Sequence, residues 1–481
     1  MGDSTQKNQV WRVRGSLEVL TPLHVGDGEV EERQGETDVA TVCRDANGQP
    51  YLPGTSLRGF LRRCFENFFS EKSEETRELF GYQEESGEGE QAAAKGGLLV
   101  VLDAFAQGAV KMAHSSHVVI ERRTRTAAEE LLYTVEIVEP GTKFDVTLIV
   151  EGIRLTEGDD TAVARLLAVL NKIHQTGERM GAGGASNWGQ LRWTERDVCR
   201  LDEAAILAWE KKGGLLLDHL SKAKVAPAEL PKLNRWLDLA VELQFDEMLL
   251  VKDPDLSKGG KAAKDGPRDS EARRKVLPGG QECALLPGHS FHGAMRSQAE
   301  RIARTMAGDE NAETWVRDVR KPAAYPEEMK DYTAVDLLFG GVGWKSPIRI
   351  DEDFCDDGKA ALKVQEFIAI DRFTGGGVDG LKFNARGFER PLLRGRIRID
   401  LNALRWLLKK GKPPQVRKGE EATWETLWYL LAFTLRDLVE GEISFGFGAS
   451  KGYGTCRACF PSNGVEQVVE TLKQLEEACH G

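Results

Sequence analysis

The sequence predicts an α+β fold in which one domain occurs twice in tandem. The first reason is an internal repeat, because five segments of the first half recur in the second half in the same order. The second reason is that both halves show the same order of strand and helix patterns. The repeated segments pair as 17–27 with 243–253, 52–62 with 286–296, 79–81 with 338–340, 120–124 with 370–374, and 181–189 with 446–454.

Each copy is predicted to begin with a strand that is followed by a helix. In the first copy, Trp11, Val13 and Leu17 alternate with polar residues, which is the period of a half-buried strand. A Pro-Gly turn then precedes a helix, which Thr55 or Ser56 can cap. The apolar face of this helix is predicted to consist of Leu57, Phe60, Leu61, Cys64, Phe65 and Phe68.

Paired strands, a second helix and a last strand complete the predicted domain. Residues 131–138 and 143–152 are predicted to form a hairpin, a helix covers 161–177, and the last strand covers 190–195. The order strand, helix, paired strands, helix, strand is the ferredoxin-like pattern, which RNA-recognition domains share. We therefore predict two tandem ferredoxin-like domains of a modified RNA-recognition type, with insertions.

The repeat also predicts the domain boundaries. The first domain is expected over 1–200, a helical connector over 201–232, and the second domain over 233–481. The second copy carries additional material in a Lys/Gly/Asp-rich loop at 252–275 and in a helical insertion near 298–335.

Composition predicts a cytoplasmic protein that does not enter a membrane. The 481 residues are 41% hydrophobic, their start does not resemble a signal peptide, and eight cysteines are too few for a disulfide framework in a chain this long. The net charge of −11 by itself argues against nucleic acid, whose phosphates attract Lys and Arg. However, acidic residues concentrate in 26–37 and 84–91, whereas arginines cluster in 122–125 and 386–398. Composition therefore leaves RNA binding open.

Three repeated elements are candidates for RNA contact, each with a plainer structural interpretation. The Pro-Gly-x-Ser helix start offers free N–H groups to a phosphate, with Arg58 and Arg62 nearby, although it is also compatible with a capped helix and solvated arginines. The glycine-rich loops allow N–H groups to converge on an anion, or are simply turns that carry a core aromatic residue, Trp188 or Tyr453. The arginine segment at 122–125 can bind phosphates and stack on bases, or form a solvated face.

These motifs resemble the backbone subunit of type III CRISPR effector complexes, which is a RAMP (repeat-associated mysterious protein) with a modified RNA-recognition fold. The resemblance covers nearly all of the first copy. It is looser in the second copy, where Lys252 replaces Gly26 and the following loop is longer. Two fused copies resemble the fused backbone subunits of the type III-D branch. The matching motifs are Leu23-His24-Val25-Gly26, Thr37-Asp38, Arg44-Asp45, the segment 52–59 and the glycine-rich loop.

The resemblance implies a subunit that binds CRISPR guide RNA and assembles with further backbone, small and large subunits. It also implies metal-dependent cleavage of complementary target RNA at regular intervals, with Mg²⁺ or Mn²⁺ as the cofactor. The segments around Arg122 and Arg372 would be the thumbs that displace a base before the 2′-OH attacks. The implied catalytic and metal-binding residue of the first copy is Asp38. In the second copy the alignment breaks, and Asp269 and Asp265 are the candidates.

The predicted RNA contacts combine these elements from both copies. They are His24, Ser56, Arg58, Arg62, Arg122, Arg123, Arg125, Gly183, Gly184, Ser290, Arg296, Arg372, Gly448, Ser450 and Lys451. Two other functions stay open at this point. One is a scaffold of the same complex that binds RNA without cutting it. The other is a metal-independent endoribonuclease that processes the guide through a histidine, for which His24 is the well-placed candidate.

Overall fold

The structure is a computed structural model, in which the Cα positions group into two compact units. The first unit contains most of residues 1–233, and the second contains most of residues 234–481. The described residues are 8–31, 38–69, 73–83, 94–121, 126–154, 160–183, 188–231, 236–253, 270–276, 280–307, 332–341, 344–350, 352–401, 403–404, 415–417, 420–421 and 424–461.

The first unit contains four described helices and fourteen described strands. The helices are α1 (Gly54–Glu66), α2 (Glu74–Phe80), α3 (Thr161–Thr176) and α4 (Glu203–Lys212). The strands are β1 (Asn8–Val19), β2 (Gly26–Glu31), β3 (Val39–Val42), β4 (Tyr51–Leu52), β5 (Tyr82–Gln83), β6 (Ala94–Lys95), β7 (Leu99–Val101), β8 (Ala104–Ala106), β9 (Met112–Glu121), β10 (Thr126–Val138), β11 (Lys143–Arg154), β12 (Glu178–Arg179), β13 (Gln190–Arg200) and β14 (Ser221–Lys222).

The second unit has the same kinds of elements in the residues that are described. Its helices are α5 (Gly288–Ala307), α6 (Ala334–Phe339) and α7 (Trp424–Glu440). Its strands are β15 (Trp236–Phe245), β16 (Met248–Leu249), β17 (Ser270–Glu271), β18 (Arg274–Val276), β19 (Glu282–Leu286), β20 (Ile348–Ile350), β21 (Phe354–Cys355), β22 (Leu362–Ile370), β23 (Gly377–Glu389), β24 (Leu392–Asp400), β25 (Gln415–Arg417), β26 (Glu420–Glu421) and β27 (Cys456–Cys459).

The main sheet of the first unit has the order β12-β13-β1-β11-β8-β4, with β1 antiparallel to both β11 and β13. The predicted strand of alternating residues is confirmed, because Trp11, Val13 and Leu17 are at most 2% exposed. Helices α1 and α3 pack their apolar faces into the same core. Strands β13, β1 and β11 thus lie side by side under two helices, and the predicted ferredoxin-like topology is confirmed.

The predicted hairpin between 131–138 and 143–152 is wrong. Both strands exist, but β10 joins a second sheet of order β2-β3-β10-β9, whereas β11 pairs with β1. The connecting turn explains the separation, because Val19 exchanges backbone hydrogen bonds with Gly141 and Thr142, and Val138 with Leu23. Those groups are therefore not available for a ladder between β10 and β11.

The second unit repeats this arrangement. Its main sheet has the order β18-β19-β21-β24-β15-β27, and β15 is antiparallel to both β24 and β27. Its second sheet has the order β16-β23-β17, with β22 on β23. Helices α5, α6 and α7 pack on the main sheet in one hydrophobic core. Within the described part of the chain, no helix is long and apolar enough to cross a membrane.

The start of the first helix is held by a remote aspartate in both units. The expectation that Thr55 or Ser56 caps α1 is wrong, because the helix begins at Gly54 and its N-cap residue, Pro53, makes no side-chain bond. Instead, the Gly54 N–H donates to Asp103 Oδ1 over 2.7 Å. In the second unit the Gly288 N–H donates to Asp353 Oδ1 over 2.9 Å. This carboxylate is placed by tertiary structure, so local capping patterns do not reveal it.

We expect Asp103→Ala to lower the stability of the first unit by about 1 kcal/mol, because it removes the acceptor of an otherwise unpaired helix N–H group. Thermal unfolding of the purified chain measures the loss. Asp145→Ala is the matched control, since Asp145 accepts bonds from Gln107 and Arg196 at an exposed position. Equal decreases in unfolding temperature for the two variants would show that the bond from Gly54 to Asp103 contributes no more to stability than the exposed bonds of Asp145.

Candidate nucleic-acid interface

An open cavity of about 350 Å³ lies where three predicted motifs of the first unit meet. The motifs are the segment after β1, the first turns of α1, and the glycine-rich loop after α3. The residues that line the cavity are His24, Val25, Gly26, Ser56, Gly59, Phe60, Arg63, Met180, Gly181 and Ala182. The fold thus brings the glycine-rich loop next to two segments that precede it by more than 100 residues in the sequence.

The glycine-rich loop is fixed against the exit of β1 by backbone contacts. Ala182 N–H donates to the His24 carbonyl over 3.0 Å, and Gly189 N–H donates to the Pro22 carbonyl over 2.7 Å. Gly181 has φ +81°, and a Cβ there would lie 2.1 Å from the His24 carbonyl oxygen. The loop therefore requires glycine at this position for both conformation and space.

The second unit repeats the same contacts with different side chains. Phe447 N–H donates to the Leu250 carbonyl over 2.7 Å, and Gly454 N–H donates to the Met248 carbonyl over 2.9 Å. Gly446 has φ +79°, and its Cβ would lie 2.5 Å from the Leu250 carbonyl oxygen. The equivalent positions are therefore 24 and 250, 181 and 446, 182 and 447, and 189 and 454.

His24 is buried and is oriented by one hydrogen bond. Its Nδ1 lies 2.8 Å from the Glu136 carbonyl oxygen, which can only accept, so Nδ1 carries a hydrogen. In the neutral ring Nε2 is then an acceptor, and it lies 2.8 Å from the place where a Cβ of Gly26 would be. Gly26 thus leaves space beside the one ring nitrogen of His24 that the protein backbone does not use.

Several predicted RNA-binding arginines make contacts within the protein. Arg58 donates to the carbonyls of Phe80 (2.7 Å) and Leu99 (3.3 Å). Arg62 pairs with Glu66 on its own helix at 2.8 Å. The bond from Arg58 to Phe80 holds the Leu-Phe-Gly turn against α1, and RNA contact by Arg58 and Arg62 stays a prediction.

Arg296, the counterpart of Arg62 in the second unit, makes more contacts within the protein than Arg62 does. It pairs with Asp336 at 2.6 Å and with Glu300 at 3.2 Å, and it also donates to the Gly340 carbonyl. Both acids are nearly fully buried. RNA contact by Arg296 would have to leave these bonds intact, because breaking a buried ion pair typically costs about 3–5 kcal/mol.

Arg63 is a cavity residue that the sequence motifs did not indicate. It lines the cavity, and it donates to the Arg179 carbonyl at the entry of the glycine-rich loop. The helical spacing from Ser56 through Gly59 to Arg63 places all three on one face of α1. That spacing is the signal from which Arg63 could have been found.

An aromatic cluster joins the loop to the second sheet in each unit. In the first unit the His117 ring stacks on Tyr133 at 5.3 Å and meets Trp188 edge-on at 5.1 Å. In the second unit, Phe367 stacks on Phe383 at 4.9 Å and meets Tyr453 edge-on at 6.0 Å. The predicted match of Trp188 and Tyr453 is therefore structural as well as sequential.

The tyrosines of these clusters are neutral at pH 7. Burial raises the pKa of Tyr133. Burial and the nearby Glu247 raise the pKa of Tyr453, whose hydroxyl donates to Gln365. Both groups therefore remain hydrogen-bond donors across the physiological pH range.

Lysine and phenylalanine occupy the positions in the second unit that correspond to the cavity in the first. Lys252 stands at the position of Gly26, and its Nζ lies 4.0 Å from the Phe447 ring centroid. Lys451 Nζ lies 4.7 Å from the centroids of both Phe367 and Phe383. The second groove therefore presents two ammonium groups above aromatic rings, where the first groove is open.

The other predicted loop and helix residues lie at the positions that the motifs suggested. Gly183 and Gly448 have φ of +74° and +92°, and each packs against the aromatic residue of its own loop. Ser450 and Lys451 are exposed in the 3-10 turn at 449–451, and Ser56 and Ser290 are half-buried in the first turns of α1 and α5. Gly184 lies outside the described residues.

Asp38 is exposed and directly precedes β3. Strand β3 runs parallel to β10 and antiparallel to β2, where Glu31 lies opposite Val39. In the described part of the chain, no three His, Cys, Asp or Glu side chains gather into a metal-binding group. One exposed carboxylate nevertheless fits Mg²⁺ or Mn²⁺ if RNA phosphate and water complete the coordination, which is the usual manner of binding Mg²⁺.

Asp265 and Asp269 lie outside the described residues, and β17 is the described strand that follows them in the sequence. Cys43 N–H donates to the Val25 carbonyl over 2.8 Å, and Arg273 N–H donates to the Val251 carbonyl over 2.7 Å. Cys43 and Arg273 are therefore equivalent. Five residues earlier, the sequence has Asp38 in the first copy and Arg268 in the second.

The β22–β23 hairpin ends in an exposed apolar tip. The relative exposure of Phe373 is 101%, that of Ile370 is 63% and that of Ile368 is 55%. Arg372, the predicted contact at this place, is also exposed. The predicted contacts at the corresponding place in the first copy, Arg122, Arg123 and Arg125, lie outside the described residues.

Comparison with known protein families shows which family has this arrangement of motifs. The family model described as the RAMP superfamily matches residues 16–192 and 267–457, which together are more than half of the chain. The chain belongs to the RAMP superfamily. Because the model matches two separate regions, the RAMP domain occurs here in tandem. The RAMP motifs identified in the sequence are therefore confirmed at the level of the family.

A curated relative of this RAMP protein carries a functional name. It is the CRISPR system Cms endoribonuclease Csm3 of Mycobacterium tuberculosis, which is 27% identical over 209 residues. The alignment covers 38% of this chain and 85% of that protein. The relative is thus about as long as one of the two RAMP copies.

Proposed function

We propose that this RAMP protein is a cytoplasmic double backbone subunit of a type III CRISPR complex, which binds guide RNA and cuts complementary target RNA. The observation that carries the proposal is the groove that occurs in both units. In each unit the exit of the first strand and a glycine-rich loop meet at equivalent positions, and in the first unit the start of α1 completes the cavity. The name of the similar protein from Mycobacterium tuberculosis supports the same assignment.

The groove suits a phosphodiester backbone. In the first unit it combines the half-buried Ser56, the guanidinium of Arg63 and backbone N–H groups of a loop that is rich in glycine. Hydroxyl, guanidinium and peptide N–H groups are the donors that proteins use for phosphate oxygens. In the second unit Lys252 and Lys451 would supply charge to the same backbone.

The hairpin tip at Phe373 suits a wedge between bases. A fully exposed phenylalanine at the end of a two-stranded hairpin can stack on a base and separate it from its neighbour. The flanking Ile368 and Ile370 would cover the separated bases. The distortion would bring a ribose 2′-oxygen of the target into line with the adjacent phosphorus.

Asp38 is the proposed catalytic residue for the cut. The 2′-oxygen of the target would lose its proton to solvent and form a bond to phosphorus, while the bond from phosphorus to the 5′-oxygen breaks. The products are a 2′,3′-cyclic phosphate and a 5′-hydroxyl, which takes up a proton. Asp38 would hold a divalent cation, Mg²⁺ or Mn²⁺, which supplies neutralisation of the phosphate charge when it is bound.

The register around β17 favours cutting by the first copy. Arg268 stands where the first copy has Asp38, so a second cut would have to use Asp269 or Asp265 at a shifted position. These two residues remain the candidates for the second copy. Metal-free processing of the guide through His24 is the second candidate function, because His24 Nε2 faces the open cavity.

A charge placed in the groove tests the proposal. Gly59 lies on the cavity wall, and a Cβ there meets no atom within 4 Å. We expect Gly59→Glu to weaken guide RNA binding by at least about tenfold, since a carboxylate repels phosphate. Gly59→Gln adds the same bulk without charge and should retain most of the affinity. The measurement is guide RNA binding by the purified complex, with cleavage of labelled complementary RNA in Mg²⁺ and in EDTA.

Each result assigns a function. Equal affinity of the Gly59→Glu and Gly59→Gln proteins would show that the groove does not hold the guide. Intact target in the presence of Mg²⁺, with normal guide binding, would make the chain a scaffold. Cleavage of precursor guide RNA in EDTA by the chain alone would instead identify a processing nuclease.

A further inference from the structure

Five arginines lie on one face of the main sheet in the second unit, away from the helices. In β24, Arg394, Arg396 and Arg398 alternate with residues that are buried in the core, such as Ile397 and Ile399. Arg349 of β20 and Arg457 of β27 lie on the same outer face by the same alternation. We call this surface, formed by Arg349, Arg394, Arg396, Arg398 and Arg457, the arginine face.

The strand register joins these residues into one patch. Arg398 lies opposite Arg349 on one side and opposite Asp238 of β15 on the other. Arg394 lies opposite Glu242, which in turn lies opposite Cys459 of β27. Because neighbouring strands are about 4.8 Å apart, four strands place all five arginines on one continuous surface.

The arginine face keeps an excess of positive charge in a chain of net charge −11. Arg394 pairs with Glu242 at 2.8 Å, and Arg398 pairs with Asp238 at 2.9 Å. Among the residues that the structure describes, the exposed Arg396 forms no ion pair, and neither does the exposed Arg457. Ion pairing therefore compensates only part of the charge.

An aromatic ring lies within the same patch. Trp236 of β15 has the guanidinium carbons of both Arg349 and Arg398 4.5 Å from its ring centroid. Stacking on the indole holds the two guanidinium planes in defined orientations. Planar guanidinium groups that are oriented in advance lose less entropy when they bind an anion.

The corresponding face of the first unit is partly covered by its own connector. Arg12 of β1 is only 6% exposed and donates to the Leu217 carbonyl in the connector. Strand β14 of the connector also pairs with β13. Arg14 makes a bidentate pair with Asp197 at 2.7 and 3.1 Å. Both arginines of β1 on this face are therefore used within the fold, whereas Arg396 and Arg457 are exposed.

We propose that the arginine face is a second RNA-binding surface, which takes the phosphodiester backbone of single-stranded RNA. Every cation on it is an arginine, the side chain that binds phosphate oxygens bidentately and stacks on bases. An aromatic residue among arginines is characteristic of surfaces that bind single strands without sequence preference. The arginine face shares no residue with the groove of either unit, so this inference does not depend on the proposed function.

Cys459 provides a probe at the β27 edge of the arginine face. It is exposed on β27, two residues from Arg457. Five other described cysteines are buried, and burial raises the pKa of Cys355 to about 12, so these thiols react slowly. With Cys479→Ser in the background, alkylation by a maleimide reports mainly on Cys459. We expect a saturating concentration of a labelled 20-nucleotide oligouridylate to slow the alkylation of Cys459 in the full chain by at least about fivefold.

Neutralising the two unpaired arginines should remove this protection. We expect Arg396→Gln with Arg457→Gln to abolish protection of Cys459 and to reduce the salt slope of RNA binding by about 1.4, or about 0.7 for each lost phosphate contact. The matched control is Arg196→Gln with Arg436→Gln, which removes two exposed arginines elsewhere in the chain. Gly59→Glu should weaken guide binding but leave the protection of Cys459 unchanged, which separates this surface from the groove.

Two results would overturn the proposal. The first is an unchanged rate of Cys459 alkylation at RNA concentrations where fluorescence anisotropy shows that the chain is saturated. The second is protection that rises with protein concentration in the absence of RNA, because the face would then bind a second copy of the chain. Equal salt slopes for the Arg396/Arg457 pair and the control pair would contradict the assigned residues.

Discussion

Asp38→Asn is expected to eliminate one product of target RNA cleavage, lowering the rate at that position by about 100-fold or more, while guide and target binding stay unchanged. The reason is that asparagine keeps the size of the side chain but removes the charge that would hold a divalent cation. Loss of a single group that stabilises a transition state commonly costs about 100- to 1,000-fold in rate. The measurement is single-turnover cleavage of end-labelled target by the assembled complex.

A neighbouring carboxylate, Glu29, provides the control for this variant. Glu29 is exposed on β2, the strand that pairs with β3, and Glu29→Gln removes the same charge close to Asp38. The Glu29→Gln variant should change the cleavage rate by less than about threefold if the overall negative charge of β2 does not affect cleavage. A similar loss in both variants would assign the effect to net charge. An unchanged product pattern with Asp38→Asn would contradict the assignment of Asp38.

Gly189→Ala is expected to have the second large effect, weakening guide RNA binding at least tenfold and lowering the stability of the first unit by about 2–4 kcal/mol. A Cβ at Gly189 would lie 1.9 Å from the Met180 carbonyl oxygen, and its φ is +75°. The backbone must therefore move, and the bond from Gly189 N–H to the Pro22 carbonyl is lost. Thermal unfolding and guide binding together measure the effect.

Gly141→Ala is the control that introduces backbone strain without displacing the glycine-rich loop. Gly141 has φ +92°, but a Cβ there meets no atom within 4 Å. The Gly141→Ala substitution should therefore lower the stability of the first unit by about 1 kcal/mol, because alanine disfavours the left-handed conformation. It should not reduce guide binding. If Gly141→Ala and Gly189→Ala behaved alike, the close packing of the glycine-rich loop would not be what positions the groove.

The alternation and repeat patterns predicted the architecture well because they depend on local periodicity. Residues Trp11, Val13 and Leu17 alternate as expected, and the face of α1 from Leu57 to Phe65 is buried as expected. The failure at β10 and β11 has a physical cause, since a turn at 139–142 suits a hairpin whether or not its strands pair. Which strand takes the hydrogen bonds is decided by β1 and by residue 23, both more than 100 residues away.

Prediction of the candidate site was less complete for the same reason. The glycine-rich loop was identified because its glycines recur in both copies, and the motif containing His24 because it resembles that of RAMP backbone subunits. Arg63 and Asp103 were not identified, because ordinary charged residues acquire their roles only from tertiary contacts. The inward bonds of Arg58 also could not be read from the sequence, since helical position alone does not reveal which carbonyls lie within reach.

The unlike grooves of the two units have a consequence for evolution. Identical subunits made from one gene must share every substitution, so an assembly of separate copies has the same groove at each position. Duplication within one reading frame removes that constraint, and the fusion keeps the difference between Gly26 and Lys252 in a fixed order along the chain. The chain thus presents an open cavity beside Gly26 in its first copy and lysines above aromatic rings in its second copy.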